Sequence, residues 1–155
     1  MALFVSNFTN KIDRKGRVSI PASFRQILAA KGSDAVIVHP HPKHPAIEGG
    51  GMDWIEDYAA RLEQLPEYDP DRDALQALFS QVSQVGTDGE GRIILPEALT
   101  RHAGLGETAI FVGTGQKFEI WEPGRYAEHL AQLQARIRER NLTVPPLPRA
   151  TGAAS

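Results

Sequence analysis

Residues 13–21 read DRKGRVSIP and residues 88–96 read DGEGRIILP, so one nine-residue pattern is written twice, 75 residues apart. Asp, Gly, Arg and Pro recur at identical internal positions, and Val-x-Ile becomes Ile-x-Leu in the same phase. The chain has 155 residues, so the offset is close to half its length. Repetition on this scale constrains the fold more than any local signal, because each copy is one supersecondary unit that needs a neighbour to bury its apolar face.

The first copy predicts a strand from Phe4 to Ile12, a turn over Asp13-Arg14-Lys15-Gly16, and a second, alternating strand from Arg17 to Ile20. Asp at the first turn position accepts hydrogen bonds from nearby amides, and Gly tolerates the positive φ that follows. The two strands read together as a β-hairpin. Pro21 ends the second strand and suits a helix start, Phe24, Ile27 and Leu28 mark one helical face, and Gly32 is the expected stop. Ala35 to Val38 reads as a buried strand. In the second copy Asp88 to Gly91 is the turn, Arg92 to Leu95 the strand, and Pro96 the helix start. Leu99 and Ala103 mark that helix face, Gly104 or Gly106 its end, and Ala109 to Val112 the later strand, with Phe118 to Trp121 as another.

Helices are expected after each copy. Ile55, Tyr58, Leu62 and Leu65 share a face; Asp69 and Pro70 open a further helix carrying Leu75, Leu78, Phe79 and Val82; and Tyr126, Leu130, Leu133 and Ile137 run down a C-terminal one. From Thr143 no periodic apolar face remains, which reads as a flexible tail, disordered or loosely docked. A hairpin and one short helix cannot bury their own faces. The expected fold is therefore α+β: two tandem hairpin–helix–strand repeats, 7–52 and 82–125, packed as a pseudo-dimeric small β-barrel. A helical connector over 53–81, a C-terminal helix over 126–142 and the tail 143–155 complete the division.

Asp13 with Arg17, and Asp88 with Arg92, flank the two turns. Each arginine fork can pair with its aspartate and shape the hairpin, or bind phosphate bidentately, and the pattern by itself leaves both open. Charge separates the copies. Residues 11–31 carry Lys11, Arg14, Lys15, Arg17, Arg25 and Lys31 against Asp13, a net +5, whereas residues 86–106 come to −1. Arg14 and Lys15 at the first tip make it a candidate probe for a nucleic-acid groove. The alternative is a solvated charged face, and the whole chain's net charge of −2 points to no polyanion partner.

Three histidines in HPHPKHP, at 39, 41 and 44, invite a zinc reading, but the interleaved prolines hold the segment extended, and it reads instead as an exposed loop in an insertion. Gly49-Gly50-Gly51 lacks the Lys-Ser/Thr ending of a phosphate loop and reads as a flexible connector. Arg136, Arg138 and Arg140 sit where cations favour a helix C-terminus. Trp54 and Trp121 read as core or interface residues. With no cysteine, thiolate metal sites and disulfides are excluded. No nucleophile–base pair stands out, so neither an enzyme nor a cofactor is expected. The N-terminal run MALFV is too short for a signal peptide, and no segment approaches membrane-spanning length.

KIDRKGRVSIPASFR near the N-terminus, DGEGRIILPEALTRHAGL in the second copy and KFEIWEP beyond it closely resemble the bacterial MraZ family over roughly residues 1–140. Each copy is similar to a SpoVT/AbrB-type DNA-binding module, in which swapped hairpins build a small barrel. The resemblance implies a cytoplasmic, nucleoid-associated transcriptional regulator that binds direct repeats at the promoter of the division and cell-wall gene cluster containing its own gene. It also implies a ring-shaped homo-oligomer on double-stranded DNA, with Asp13, Arg17, Asp88 and Arg92 as the motif residues; Lys11, Arg14 and Lys15 join them on charge. The second turn, DGEG, has no basic residue between its motif ends, so the first hairpin is expected to be the main DNA reader. Two rivals remain: a scaffold ring whose basic hairpins bind acidic protein surfaces, and a metal-dependent hydrolase using the histidines.

Overall fold

Strand pairing in the computed structural model, which describes residues 2–149, runs between the two copies as well as within them. The first copy supplies β1 (Asn7–Lys11), β2 (Arg17–Ser19), α1 (Ala22–Ala30), β3 (Ala35–Pro40) and β4 (Ile47–Gly50). After α2 (Met52–Leu62), α3 (Pro70–Gln76) and a 3-10 turn (Ala77–Gln81) come β5 (Ser83–Gly86), β6 (Arg92–Ile94), α4 (Glu97–Ala103), β7 (Thr108–Gly113) and β8 (Phe118–Trp121). The hairpin partner expected for β2 is replaced: β1 pairs with β7 and β2 with β6, both antiparallel, whereas β3–β4 and β7–β8 pair as hairpins within their own copies. Among the described residues β1 and β2 are held together by the Ile12–Val18 bridge, the turn itself and the Asn10 side-chain amide, which donates to the Ser19 carbonyl at 2.7 Å.

The largest sheet has the order β1-β7-β8-β4-β3-β5, and β2-β6 forms a separate ribbon. Exchanging each strand for its counterpart in the other copy, β1 for β5, β7 for β3 and β8 for β4, leaves that order unchanged when read backwards. The register obeys the same exchange: Val18 faces Ile93 in the ribbon, and Glu48 faces Glu119 in the sheet. The physical reason is burial. Val18 and Ile93 are each 1% exposed, which a free hairpin could not achieve. Among the described residues the strands make a six-stranded sheet and a ribbon, not one continuously hydrogen-bonded barrel.

Phe4, Phe24, Phe111 and Phe118 form the aromatic centre of the core, with ring centroids 5.2 Å apart for Phe4–Phe24, Phe4–Phe118 and Phe24–Phe118. Both helices that follow the ribbon strands end on the expected glycines. Ser33 N–H reaches back to Leu28 beyond Gly32, and Leu105 N–H to Thr100 beyond Gly104, with φ of +72° and +64° at the glycines.

Two readings of the sequence are corrected. Gly49 and Gly50 are not a flexible connector but buried residues of an interior strand, β4. A Cβ on Gly49 would lie 2.6 Å from the Phe118 ring and one on Gly50 2.9 Å from Trp54, so the missing side chains make room for aromatic ones. His39 is likewise no exposed loop residue; it lies in β3 and is 5% exposed.

Met1–Pro123 and Gly124–Ser155 are separate compact units. All but the first residue of α5 (Pro123–Arg140) belongs to the second; its Tyr126, Leu130, Leu133 and Ile137 recur at helical spacing and its end is marked by Asn141 at φ +49°. Residues 142–149 have no regular structure, while residues 150–155 of the expected tail, like Met1, lie outside the described residues. Among the described residues no helix is long and apolar enough to cross a membrane.

Candidate nucleic-acid interface

The spelling Asp-x-x-Gly-Arg is explained by the turn it builds. Asp13 Oδ1 accepts the amides of Lys15 and Arg17, both at 2.9 Å, while Oδ2 accepts Arg17 Nε at 2.6 Å. The backbone closes with Asp13 N–H to the Arg17 carbonyl and Gly16 N–H to the Asp13 carbonyl, each 2.9 Å. Gly16 stands at φ +80°, the conformation that excludes most other residues. Asp88 repeats the set: Oδ1 takes the amides of Glu90 and Arg92 at 2.9 and 3.0 Å, and Oδ2 takes Arg92 Nε at 2.9 Å. Gly91 stands at φ +78°.

The electrostatics follow from these bonds. The Arg17 amide, then its guanidinium and the Lys15 amide, hold Asp13 below the usual carboxylate range. The Arg92 amide, then that of Glu90 and the Arg92 guanidinium, do the same for Asp88. Arg92 is raised by its bond to Asp88, then by the charges of Asp88, Glu90 and Asp13. Asp13 is the last of these influences, so the first turn lies within electrostatic reach of Arg92. In the ribbon Arg17 faces Ile94 and Ser19 faces Arg92, so the two arginines are two residues apart along the strands, roughly 7 Å.

The Asp–Arg pair shapes each turn through Nε. The terminal nitrogens then differ. Arg92 Nη2 lies 3.5 Å from Glu90, whereas those of Arg17 have no ion-pair partner among the described residues. Lys11, Arg14 and Lys15 are exposed and have no ion-pair partner among the described residues either. Lys11, Asp13 and Arg14 border one shallow cleft, and Arg14 and Lys15 the next.

The +5 counted along the first copy is not the charge around the first turn. Lys31 Nζ lies 3.0 Å from Asp53, away at the far end of α1, and Arg25 lies on the second turn, against Gly91. No sequence signal assigns Arg25 to that turn, because helix α1 crosses to the other copy only through tertiary pairing.

The three histidines do not gather at one point, but one of them meets two carboxylates carried on β4 and β8. His41, Glu48 and Glu119 place ligand-type atoms within 4.8 Å of one another. His41 Nδ1, however, accepts the amides of Lys43 and His44 at 3.0 and 3.2 Å, so the neutral ring carries its proton on Nε2, which faces Glu119 at 3.6 Å. Nε2 is thus a donor rather than a metal ligand, and Glu48 is already bonded by Lys117. Two carboxylates directly opposed across β4 and β8 would repel, and these partners offset that. His39 completes the group, stacked on Trp54 with Nε2 3.4 Å from Glu48.

Burial pushes the His41 imidazole down, and the Glu48 and Glu119 charges oppose this only in part. A base with a lowered folded pKa contributes stability that is present above its unfolded value, near 6.5, and lost as pH falls through the folded one. The melting temperature is therefore expected to fall more steeply between pH 7 and 5 in the wild type than in His41→Asn, whose amide oxygen can still accept the two backbone amides. Parallel pH profiles would remove His41 as the cause.

A family model described as "MraZ protein, putative antitoxin-like" matches residues 78–143. A protein of Beijerinckia indica named "Transcriptional regulator MraZ" is 43% identical over 140 residues, covering 90% of this chain and 85% of its own length. Proteins of the same name from Rickettsia bellii and Azorhizobium caulinodans are each 40% identical, over 146 and 140 residues, covering 93% and 90% of this chain and 97% and 89% of their own.

Proposed function

The chain belongs to the MraZ family, a family of transcriptional regulators rather than enzymes, and we propose that it regulates transcription by binding DNA through its two Asp–Arg turns. The observation that carries this is the first turn: a rigid loop with Arg17's outer nitrogens, Arg14, Lys15 and Lys11 all open to solvent-borne anions. Cations carried on a tight loop suit phosphates and groove edges, since the backbone that presents them is already ordered.

In the fuller form of this reading the protein is cytoplasmic and nucleoid-associated, and acts on the division and cell-wall gene cluster at direct repeats in its own promoter. It does so as a ring of subunits built from the tandem modules 7–52 and 82–125, each pair closing a pseudo-dimeric barrel-like core; the connector 53–81, the helix 126–142 and the tail 143–155 flank them. The palindromic strand order supports the pseudo-dimer. Exposed Leu3, Val5 and Phe8, beside or on edge strand β1, support self-association there. Repetition reconciles a mildly acidic chain with DNA binding, because linked sites gain on the order of 10²–10⁴ in avidity where geometry permits.

The test is fluorescence anisotropy with DNA from upstream of the protein's own gene against scrambled DNA of equal length, at two salt concentrations. Preference for the repeats that weakens with salt is expected, with Arg17→Ala losing far more affinity than Arg92→Ala, whose outer nitrogen already faces Glu90. Equal losses would sink the asymmetry. No preference for repeats would favour the scaffold whose basic turns bind acidic proteins.

A further inference from the structure

The second turn looks unfit for DNA by its own sequence, since Asp88 and Glu90 outnumber Arg92. The cross-copy pairing changes this. Ile20 N–H donates to the Gly91 carbonyl at 3.0 Å, which seats the start of α1 directly beside the second turn. Arg25, one turn into that helix, then lies across Gly91: a Cβ there would come within 2.6 Å of Arg25 Cδ and 2.7 Å of Cζ. Gly91 is buried beneath the side chain while Arg25 itself is exposed. The equivalent position 75 residues later is Thr100, so the first turn receives no such cation in return.

We propose that Arg25 is a phosphate-binding residue of the second turn, through which the ribbon's acidic end also engages the DNA backbone; this rests on the DNA-binding reading above. The nearby carboxylates do not account for Arg25. Asp88 is committed to two amides and Arg92 Nε, and Glu90 faces Arg92 Nη2. Among the described residues the Arg25 guanidinium has neither hydrogen bond nor ion pair, so all of its donors remain for an external anion. The guanidinium fork matches phosphate bidentately, and its place over Gly91 sets it beside the second turn. One positive group then stands at each end of the ribbon: the first turn carries its own, and the second borrows Arg25 from the other copy.

The experiment compares wild type, Arg25→Gln and Arg25→Lys for binding to the upstream DNA across a fourfold range of salt. Gln keeps much of the volume over Gly91 and removes the charge; Lys keeps the charge and loses the fork. Over fourfold in salt each lost phosphate contact should reduce the salt sensitivity of affinity by about 3.5-fold. Arg25→Gln is expected to show that reduction on specific and scrambled DNA alike, with the oligomer unchanged, and Arg25→Lys to keep the wild-type salt dependence. If Arg25→Gln keeps the wild-type slope while wild type binds normally, Arg25 is only a cover for Gly91 and this inference fails alone. If wild type itself does not bind DNA, the regulator reading fails and takes the inference with it.

Discussion

Phe118→Ala is expected to destabilise the main unit by about 3–5 kcal/mol, the range for emptying a buried aromatic site. Phe118 is 0% exposed and meets three other rings: Phe4 and Phe24 at 5.2 Å and Phe111 at 6.0 Å between centroids. It also fills the space that Gly49 leaves, so its loss opens a gap against a strand backbone that has no side chain to collapse into it. Such a loss is a large share of the roughly 5–15 kcal/mol by which domains are stable. Thermal melts should show a midpoint lowered by on the order of 10 °C. A drop of only two or three degrees would mean the aromatic centre repacks, and the account of Gly49 as the partner of Phe118 would be wrong.

Gly113→Ala is the second, and its mechanism is backbone collision. A Cβ at Gly113 would stand 2.5 Å from both the Phe4 carbonyl oxygen and the Val5 amide nitrogen. Neither can swing aside as a side chain tip could. Gly113 N–H also donates to the Ser6 carbonyl, and Phe4 exchanges backbone bonds with Gly115. Relief therefore requires the N-terminal segment to lift from β7, withdrawing Phe4 from between Phe24 and Phe118. The expected cost approaches that of deleting a core phenylalanine, about 3 kcal/mol or more. Hydrogen exchange should locate the damage in residues 4–11 before it reaches the β2–β6 ribbon. Uniform exchange across the unit would contradict a local release. Combined with Phe118→Ala the effects should fall short of additive, since both variants empty the same ring cluster.

The local grammar of this chain was legible without coordinates. Asp13, Gly16 and Arg17, with Asp88, Gly91 and Arg92, announced their turns because an aspartate, a positive-φ glycine and a fork-bearing arginine act within five residues of one another. The glycine stops at Gly32 and Gly104 are local for the same reason. The burial of the Gly49-Gly50 pair and of the histidine segment is not legible, because nothing nearby in sequence says that Phe118, Trp54 or Glu119 will stand opposite them.

The repeat alone therefore determined that two like units share one core, since neither can bury its apolar face unaided. Which strand pairs with which was decided only in three dimensions. The choice of β2 with β6 over β2 with β1 turns on burying Val18 against Ile93, a contact between residues 75 apart. That choice also moved Arg25 from the copy that encodes it to the turn of the other. Charge counted along a chain describes composition, but electrostatic attraction and repulsion act through space, and here the crossing of α1 sets the distance.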